Sequence, residues 1–257
     1  MDNKRIVLIG AGNVATHLGV GLQKAGWQIV QVYSRTMESA SALGNRLGVS
    51  FVCSLDEVCT DADMYLVMVK DAVLQELIPA LVKGRERALF VHTAGSMPID
   101  VWRDHAVHYG VLYPMQTFSK AREVDFPSVS FFVEANGNTE LDMLKGLAHS
   151  LSGRVYEATS EQRTYLHMAA VFACNFANHM YALSAYLLEK NGLPFDAMLP
   201  LIDETARKVH ELSPKEGQTG PAIRRDTNVM NKHLEMLADE PELRELYKNI
   251  SESIQKL

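Results

Sequence analysis

Cysteine is scarce in this chain of 257 residues: Cys53, Cys59 and Cys174 form no CxxC pair and, being odd in number, cannot all pair internally. That excludes a disulfide framework or a thiolate zinc site and fits a reducing compartment, where each cysteine is expected as a small buried hydrophobe. Positive charge is not in excess either. With 25 Lys and Arg against 31 Asp and Glu, the net charge is −6. The chain therefore lacks the basic footprint of a nucleic-acid-binding protein, and no nucleic-acid partner is expected. It has no internal repeat and no low-complexity stretch. Met1-Asp2-Asn3-Lys4-Arg5 runs at once into an apolar strand pattern, with no room for a charged leader and apolar core, so a cytoplasmic location is expected. One segment, residues 168–188, is long and apolar enough to be weighed as a membrane span. Asn175, Asn178 and His179 interrupt it, and a buried helix of a soluble bundle is the cheaper reading, with no membrane partner. His105 and His108 have the spacing of a metal pair but no carboxylate or cysteine partners nearby in sequence, so no metal site is expected.

What the chain does have is concentrated near its start. An apolar run at 6–9 leads into Gly10-Ala11-Gly12-Asn13-Val14-Ala15 and then into a helical pattern. This is the dinucleotide-binding fingerprint in its proper context. The first glycine permits a tight strand-to-helix turn, the second lets a pyrophosphate approach the backbone, and a small third residue lets helix pack closely on strand. Free N–H groups at the helix start face the phosphates, with Asn13 open to a second reading as a helix cap. A second strand over 29–33 completes the βαβ spacing and ends in Ser34-Arg35-Thr36. An acidic residue there would serve a ribose 2′-OH, whereas a hydroxyl and a guanidinium suit a 2′-phosphate. The cofactor expected is NADP(H) in preference to NAD(H). The plain alternative is that Ser34-Arg35-Thr36 is a polar loop capping the next helix.

The apolar content of 47% supplies a sizeable core. Short apolar runs predict strands over 6–9, 29–33, 50–53, 64–69, 88–92, 108–113, 129–133 and 154–156, with helices between them at 14–25, 37–47, 72–81, 99–105 and 139–150. That alternation is the rhythm of an α/β protein: a doubly wound, Rossmann-like, mostly parallel sheet over residues 1–157. Beyond Glu157 no strand is predicted. Helical patterns at 160–190, 195–212 and 221–257 give an all-α C-terminal domain over 158–257, expected to carry substrate and dimer contacts. Ligands of doubly wound sheets bind outside the carboxyl ends of the strands, so the cleft between the halves is the default substrate site.

Several residues there can carry chemistry. Val69-Lys70-Asp71, His92-Thr93-Ala94-Gly95-Ser96 and Tyr113-Pro114-Met115-Gln116-Thr117-Phe118 end successive strands. Val69, Lys70, Thr93 and Gly95 fall along the expected cofactor path, Gly95 suiting a close backbone approach or a left-handed turn. Ser96 and Gln116 are substrate candidates, Ser96 alternatively capping a helix behind Met97-Pro98. In the helical half, at about 100° per residue, His167 and Asn178 share a stripe with Asn175 a quarter turn away. His167 is the expected proton donor, since imidazole holds and releases a proton near neutrality, and Asn175 the orienting residue; the alternative for His167 is a satisfied core or surface histidine. In Thr219-Gly220-Pro221-Ala222-Ile223-Arg224-Arg225-Asp226, a helix start at Gly-Pro beside Arg224 and Arg225 suits an anionic substrate. Its alternative is an ordinary loop-to-helix junction with solvated arginines.

On Gly10–Ala15, the 92–96 and 113–118 segments, 167–175 and 219–226, the chain resembles a bacterial family that joins a Rossmann-like reductase domain to a helical C-terminal domain of unknown function. Its first half is also similar to pyrroline-5-carboxylate reductases, ketopantoate reductases and deazaflavin-dependent NADP reductases. The resemblance implies an NAD(P)-dependent oxidoreductase. It does not supply a catalytic lysine: β-hydroxyacid dehydrogenases carry Lys and Asn one helical turn apart, and four positions after His167 stands Val171. The expected function is hydride transfer between NADP and a small carbonyl or imine substrate bearing a carboxylate, in a homodimer built through the C-terminal helices. The rival is an NADP-binding sensor or scaffold without turnover.

Overall fold

A computed structural model describes residues 4–256. They form two units, divided between His179 and Met180. In the first, β1 (Arg5–Ile9), α1 (Asn13–Lys24), β2 (Gln28–Tyr33), α2 (Met37–Leu47), β3 (Ser50–Val52), β4 (Met64–Val67), α3 (Asp71–Val82), β5 (Leu89–His92) and β6 (His108–Met115) alternate as the sequence pattern predicts. They are followed by β7 (Ser130–Ala135), α4 (Asn138–His149) and β8 (Val155–Glu157). The sheet runs β3-β2-β1-β4-β5-β6-β7-β8, every pair parallel except β6 against β7. Its first six strands follow the 3-2-1-4-5-6 order of a doubly wound fold, which puts the topological switch between β1 and β4.

The strands are buried on both faces, and β1 shows why. Ile6 and Leu8 enter one core with Leu18, Leu22, Leu66, Val91, Leu112 and Phe131. Val7 and Ile9 enter the other with Tyr65, Val67, Leu74, Phe90 and Trp102. The period of two distributes one strand between two layers, which a parallel sheet covered on both sides requires. Residues 99–105 differ from expectation: only a 3-10 turn, Ile99–Trp102, forms there, and its anchor is the fully buried Trp102.

Strands stop at Glu157, where the sequence rhythm changes, while the first unit continues through α5 (Ser160–Ala170) and a π-helical turn, Val171–Phe176. A capping box starts α5: Thr159 accepts from the Gln162 N–H, and the Gln162 side chain accepts from the Thr159 N–H at 2.9 Å. Next comes α6 (Ala177–Lys190). The stretch 168–188 is not the buried helix its apolarity predicts, for Met168, Phe172 and Phe176 are 50%, 66% and 48% exposed. Apolarity alone does not say what covers a helix. Among the described residues no helix is long and apolar enough to cross a membrane.

The second unit continues α6 and adds α7 (Leu199–Glu211), α8 (Thr227–Met236) and α9 (Pro241–Lys256). The helical pattern expected over 221–257 starts later and is interrupted once: residues 221–225 are turns, and α8 and α9 are separated at Leu237–Glu240. Leu183, Leu187, Leu246 and Ile250 line an apolar hollow of about 330 Å³ in this unit. The cysteines also depart from expectation. Cys53 and Cys174 are exposed and Cys59 is half-buried, and none is paired.

Candidate functional site

The site is built at the carboxyl ends of β2, β1, β4, β5 and β6. After β1, Gly10 takes φ +117 and donates its N–H to the Tyr33 carbonyl at 2.8 Å. A Cβ at Gly10 would collide with the Met68 peptide, so only glycine fits this turn. Gly12 is glycine for a different reason. Its φ of −80 suits any residue, and a Cβ there would meet no atom within 4 Å. It opens α1 without a side-chain cap, so the N–H groups of the first turn have no capping partner there. Asn13 is not the cap: its amide donates to the Phe118 carbonyl at 2.9 Å, tying the helix start to the loop after β6. Val14 is half-buried against the core, and Ala15 is fully buried.

After β2, Ser34 donates its N–H to Val52, and Thr36 caps α2 by accepting from the Ser39 N–H at 3.4 Å. Arg35 between them is exposed, and among the described residues its guanidinium has no hydrogen-bond or ion-pair partner. After β4, Val69 is half-buried and Lys70 is exposed and extended ahead of α3. Ser96 caps nothing; its hydroxyl donates to the Asp71 carboxylate at the start of α3.

After β5, Thr93 is half-buried and Gly95 is buried, but Gly95 is not left-handed. Its close approach is to side chains: a Cβ there would stand 2.8 Å from His167 Nδ1 and 2.9 Å from Tyr113 Cζ. Tyr113 and His167 meet edge to face with ring centroids 6.2 Å apart, Tyr113 Oη lying 3.3 Å from His167 Nδ1. Burial raises the Tyr113 pKa above its ordinary value, so the phenol stays protonated. Gln116 is exposed, its side chain accepting from the Thr117 N–H at 2.7 Å.

Arg163 holds α5 in place. It is 1% exposed, pairs with Glu134 on β7 at 2.5 Å and donates to the Met97 carbonyl at 2.6 Å. Glu134 also accepts from the Ser160 N–H and hydroxyl at 3.0 and 2.8 Å. One turn further along α5 stands His167. His92, fully buried nearby, accepts the Ala94 N–H on Nδ1 at 3.2 Å, and its Nε2 has no described partner. Burial drives its pKa down to about 3, helped by the Arg163 charge.

The structure thus gathers Gly10, Gly12, Asn13, Val14, Ser34, Arg35, Thr36, Val69, Lys70, Thr93, Gly95 and Ser96 at adjacent strand ends, with His167 against Gly95. The stripe drawn for Asn175 and Asn178 does not carry through. Asn175 lies in the π turn, whose i→i+5 bonding advances each residue by less than an α-helix does, and both asparagines are exposed. Thr219, Arg224 and Arg225 belong to the second unit, where all three are exposed. Gly220-Pro221 opens a turn rather than a helix; α8 starts at Thr227 behind Asp226, which accepts from the Val229 N–H at 3.2 Å. Arg225 has φ +53. Glu134 and Arg163 escape selection from sequence, and Tyr113 is marked there only as part of its strand-end segment, not as a partner of His167. The contact pairs 113 with 167 and 134 with 163 are 54 and 29 residues apart, with no local signature.

An open glycine cradle at the switch point of a doubly wound sheet defines a dinucleotide-binding oxidoreductase fold. Two family profiles match the chain: "NADP oxidoreductase coenzyme F420-dependent" over residues 5–95, and a domain of unknown function, DUF2520, over residues 129–254. No curated protein matches it. Among solved structures, a Bacteroides fragilis protein described as a candidate NADP oxidoreductase is 57% identical, with 99% of each chain covered and a TM-score of 0.95. The chain belongs to this family of NADP oxidoreductases, and the protein is an oxidoreductase of nicotinamide type. More distant structures share the fold. An imine reductase from Myxococcus stipitatus in complex with NADP+ is 14% identical over 98% of this chain and 92% of its own, with a TM-score of 0.70. A pyrroline-5-carboxylate reductase from Coxiella burnetii is 16% identical over 99% and 97%, with a TM-score of 0.62.

Proposed function

We propose that the protein is a cytoplasmic NADP-dependent reductase acting on a small carbonyl or imine substrate that bears a carboxylate, and that it works as a homodimer through its C-terminal helices. The observation that carries the cofactor choice is Arg35, an exposed guanidinium without a partner among the described residues, at the end of β2. A 2′-phosphate is the bidentate acceptor such a group suits. Gly10, Gly12, Asn13 and Val14 hold the pyrophosphate, Ser34, Arg35 and Thr36 the adenosine phosphate, and Val69, Lys70, Thr93 and Gly95 the nicotinamide half. When bound, the nicotinamide supplies or accepts the hydride.

The chain's own share is positioning and proton management. His167 gives the proton that the reduced oxygen or nitrogen needs. Ser96 and Gln116 supply polar contacts to the substrate, and within the second unit, taken by itself, Thr219, Arg224 and Arg225 are candidates for holding an anion. The imine reductase and pyrroline-5-carboxylate reductase among the fold neighbours favour a C=N bond and a carboxylate as the starting panel.

The test is a thermal-shift titration of the parent and Arg35→Ala with NADPH and NADH. NADPH is expected to bind more tightly, and Arg35→Ala to narrow the gap by about 1.5–3 kcal/mol, the worth of a charged hydrogen bond. Equal affinities in the parent would refute the assignment.

A further inference from the structure

We propose that Tyr113 is the positioning residue for His167: its hydroxyl donates to Nδ1 and so fixes the neutral imidazole with its proton on Nε2. This rests on the reading of His167 as proton donor, but it makes a claim about the free protein that stands or falls separately.

The argument begins with the phenol. Tyr113 is 9% exposed, and a buried hydroxyl needs a partner. Among the described residues its only hydrogen-bond partner is His167 Nδ1, 3.3 Å away. A protonated phenol and a neutral imidazole can share that bond in two ways. If Nδ1 carries the proton, imidazole donates to Oη, the phenolic hydrogen has no acceptor among the described residues, and Nε2 becomes an acceptor. If the phenol donates, its hydrogen is satisfied and Nε2 carries the proton. The second arrangement matches the phenolic hydrogen and offers Nε2–H as a donor toward a developing oxygen or nitrogen; as that proton is given up, the phenol passes its own to Nδ1 and regains one from solvent, so the imidazole stays neutral.

Gly95 makes the pairing rigid. Its backbone stands so close to Nδ1, to the His167 Cβ and to Tyr113 Cζ that a methyl group there would fall within 2.8–3.0 Å of all three. The Nδ1 edge of the imidazole is thus packed against Gly95 and Tyr113, while Nε2 bonds to no described residue. From the helix side, the Arg163 pair with Glu134 fixes α5 one turn earlier. The imidazole is held by its inner edge and presents its outer one. Gly95 therefore has a reason beyond leaving room for a cofactor.

The experiment is ¹⁵N NMR of the histidine side chains in the cofactor-free, full-length protein at a pH where imidazole is neutral. His167→Asn removes one of the nine histidine signals and identifies it. The parent is expected to show a single Nε2–H tautomer for His167 with an Nδ1 shift displaced by hydrogen bonding. Tyr113→Phe is expected to return Nδ1 to its unbonded position. Gly95→Ala, which spreads the same contact without removing the hydroxyl, is expected to give a partial return. An Nδ1–H tautomer in the parent, or a Tyr113→Phe spectrum unchanged at His167, overturns the proposal. Turnover is read separately once a substrate is found. His167→Asn should lower kcat by roughly 10²–10⁴-fold if it is the proton donor, and Tyr113→Phe by only about two- to tenfold, the worth of one neutral hydrogen bond. Full turnover in His167→Asn with the Nε2–H tautomer observed would retire the catalytic reading and leave the positioning intact.

Discussion

Replacing Gly10 and Gly12 by alanine, one at a time, is expected to separate folding from cofactor binding. Gly10→Ala forces a side chain into φ +117, a region costing roughly 1–3 kcal/mol for a residue other than glycine. The new methyl group also meets the Met68 peptide, with its carbonyl carbon at 2.9 Å. That peptide cannot retreat freely, because the Met68 N–H is bonded to the Ile9 carbonyl at 2.7 Å, a ladder bond worth about 1 kcal/mol. The sum is about 2–4 kcal/mol, which for a chain of this size lowers Tm by roughly 5–15 °C. Gly12→Ala is different. Its φ of −80 is ordinary and the space is empty, so the poorer N-cap and the stiffer unfolded chain, each worth under about 1 kcal/mol, nearly cancel. Its Tm should stay within about 2 °C of the parent. What it should lose is the stabilisation by NADPH, about 2.7 kcal/mol at a hundredfold excess over Kd. NADH stabilisation should fall with it, since the pyrophosphate is common to both. Scanning calorimetry with and without cofactor reads both effects. A Gly12→Ala protein as unstable as Gly10→Ala, or one that keeps the full NADPH shift, would refute the account of the cradle.

Two further outcomes follow from buried and from uncovered groups. His92 titrates at about 3 in the folded chain against about 6.5 unfolded, so between those values the unfolded state binds the extra proton. Its contribution is complete above pH 6.5 and is lost as pH falls, by about 2 kcal/mol on reaching pH 5; urea unfolding should show that loss in the parent and not in His92→Leu, and an equal gap between the two at pH 7 and pH 5 would refute it. If the exposed apolar side chains of the C-terminal helices, Phe172 at 66% and Leu201 at 60% among them, are what a second copy covers, light scattering at micromolar concentration should report about twice 28.6 kDa. A monomer whose 168–188 amides are nonetheless protected from exchange would rule out the dimer.

The parts of this protein that sequence shows are those in which one short segment contains both cause and effect. Gly10 is needed because the turn it makes follows β1 immediately, and Arg35 is visible because the end of β2 lies at a fixed distance along the βαβ unit. The capping box at Thr159 and Gln162 is likewise contained in four residues. Where cause and effect are far apart, the pattern falls silent. Gly95 invites a reading in backbone conformation, yet its necessity comes from two rings contributed by β6 and α5. Residues 99–105 have a helix-like pattern but are held by one buried tryptophan. The π turn is the most instructive case. Constant rotation per residue is the premise of any helical-face argument, and six residues with a different hydrogen-bond step displace everything beyond them, so His167 and Asn178 share a stripe only on paper. The apolar run around it was legible as something to be covered, but a sequence states that a surface is apolar, not which chain covers it. The positioning of His167 therefore depends on three contacts, with Tyr113, with Gly95 and through Arg163 with Glu134, that only the folded chain brings within reach.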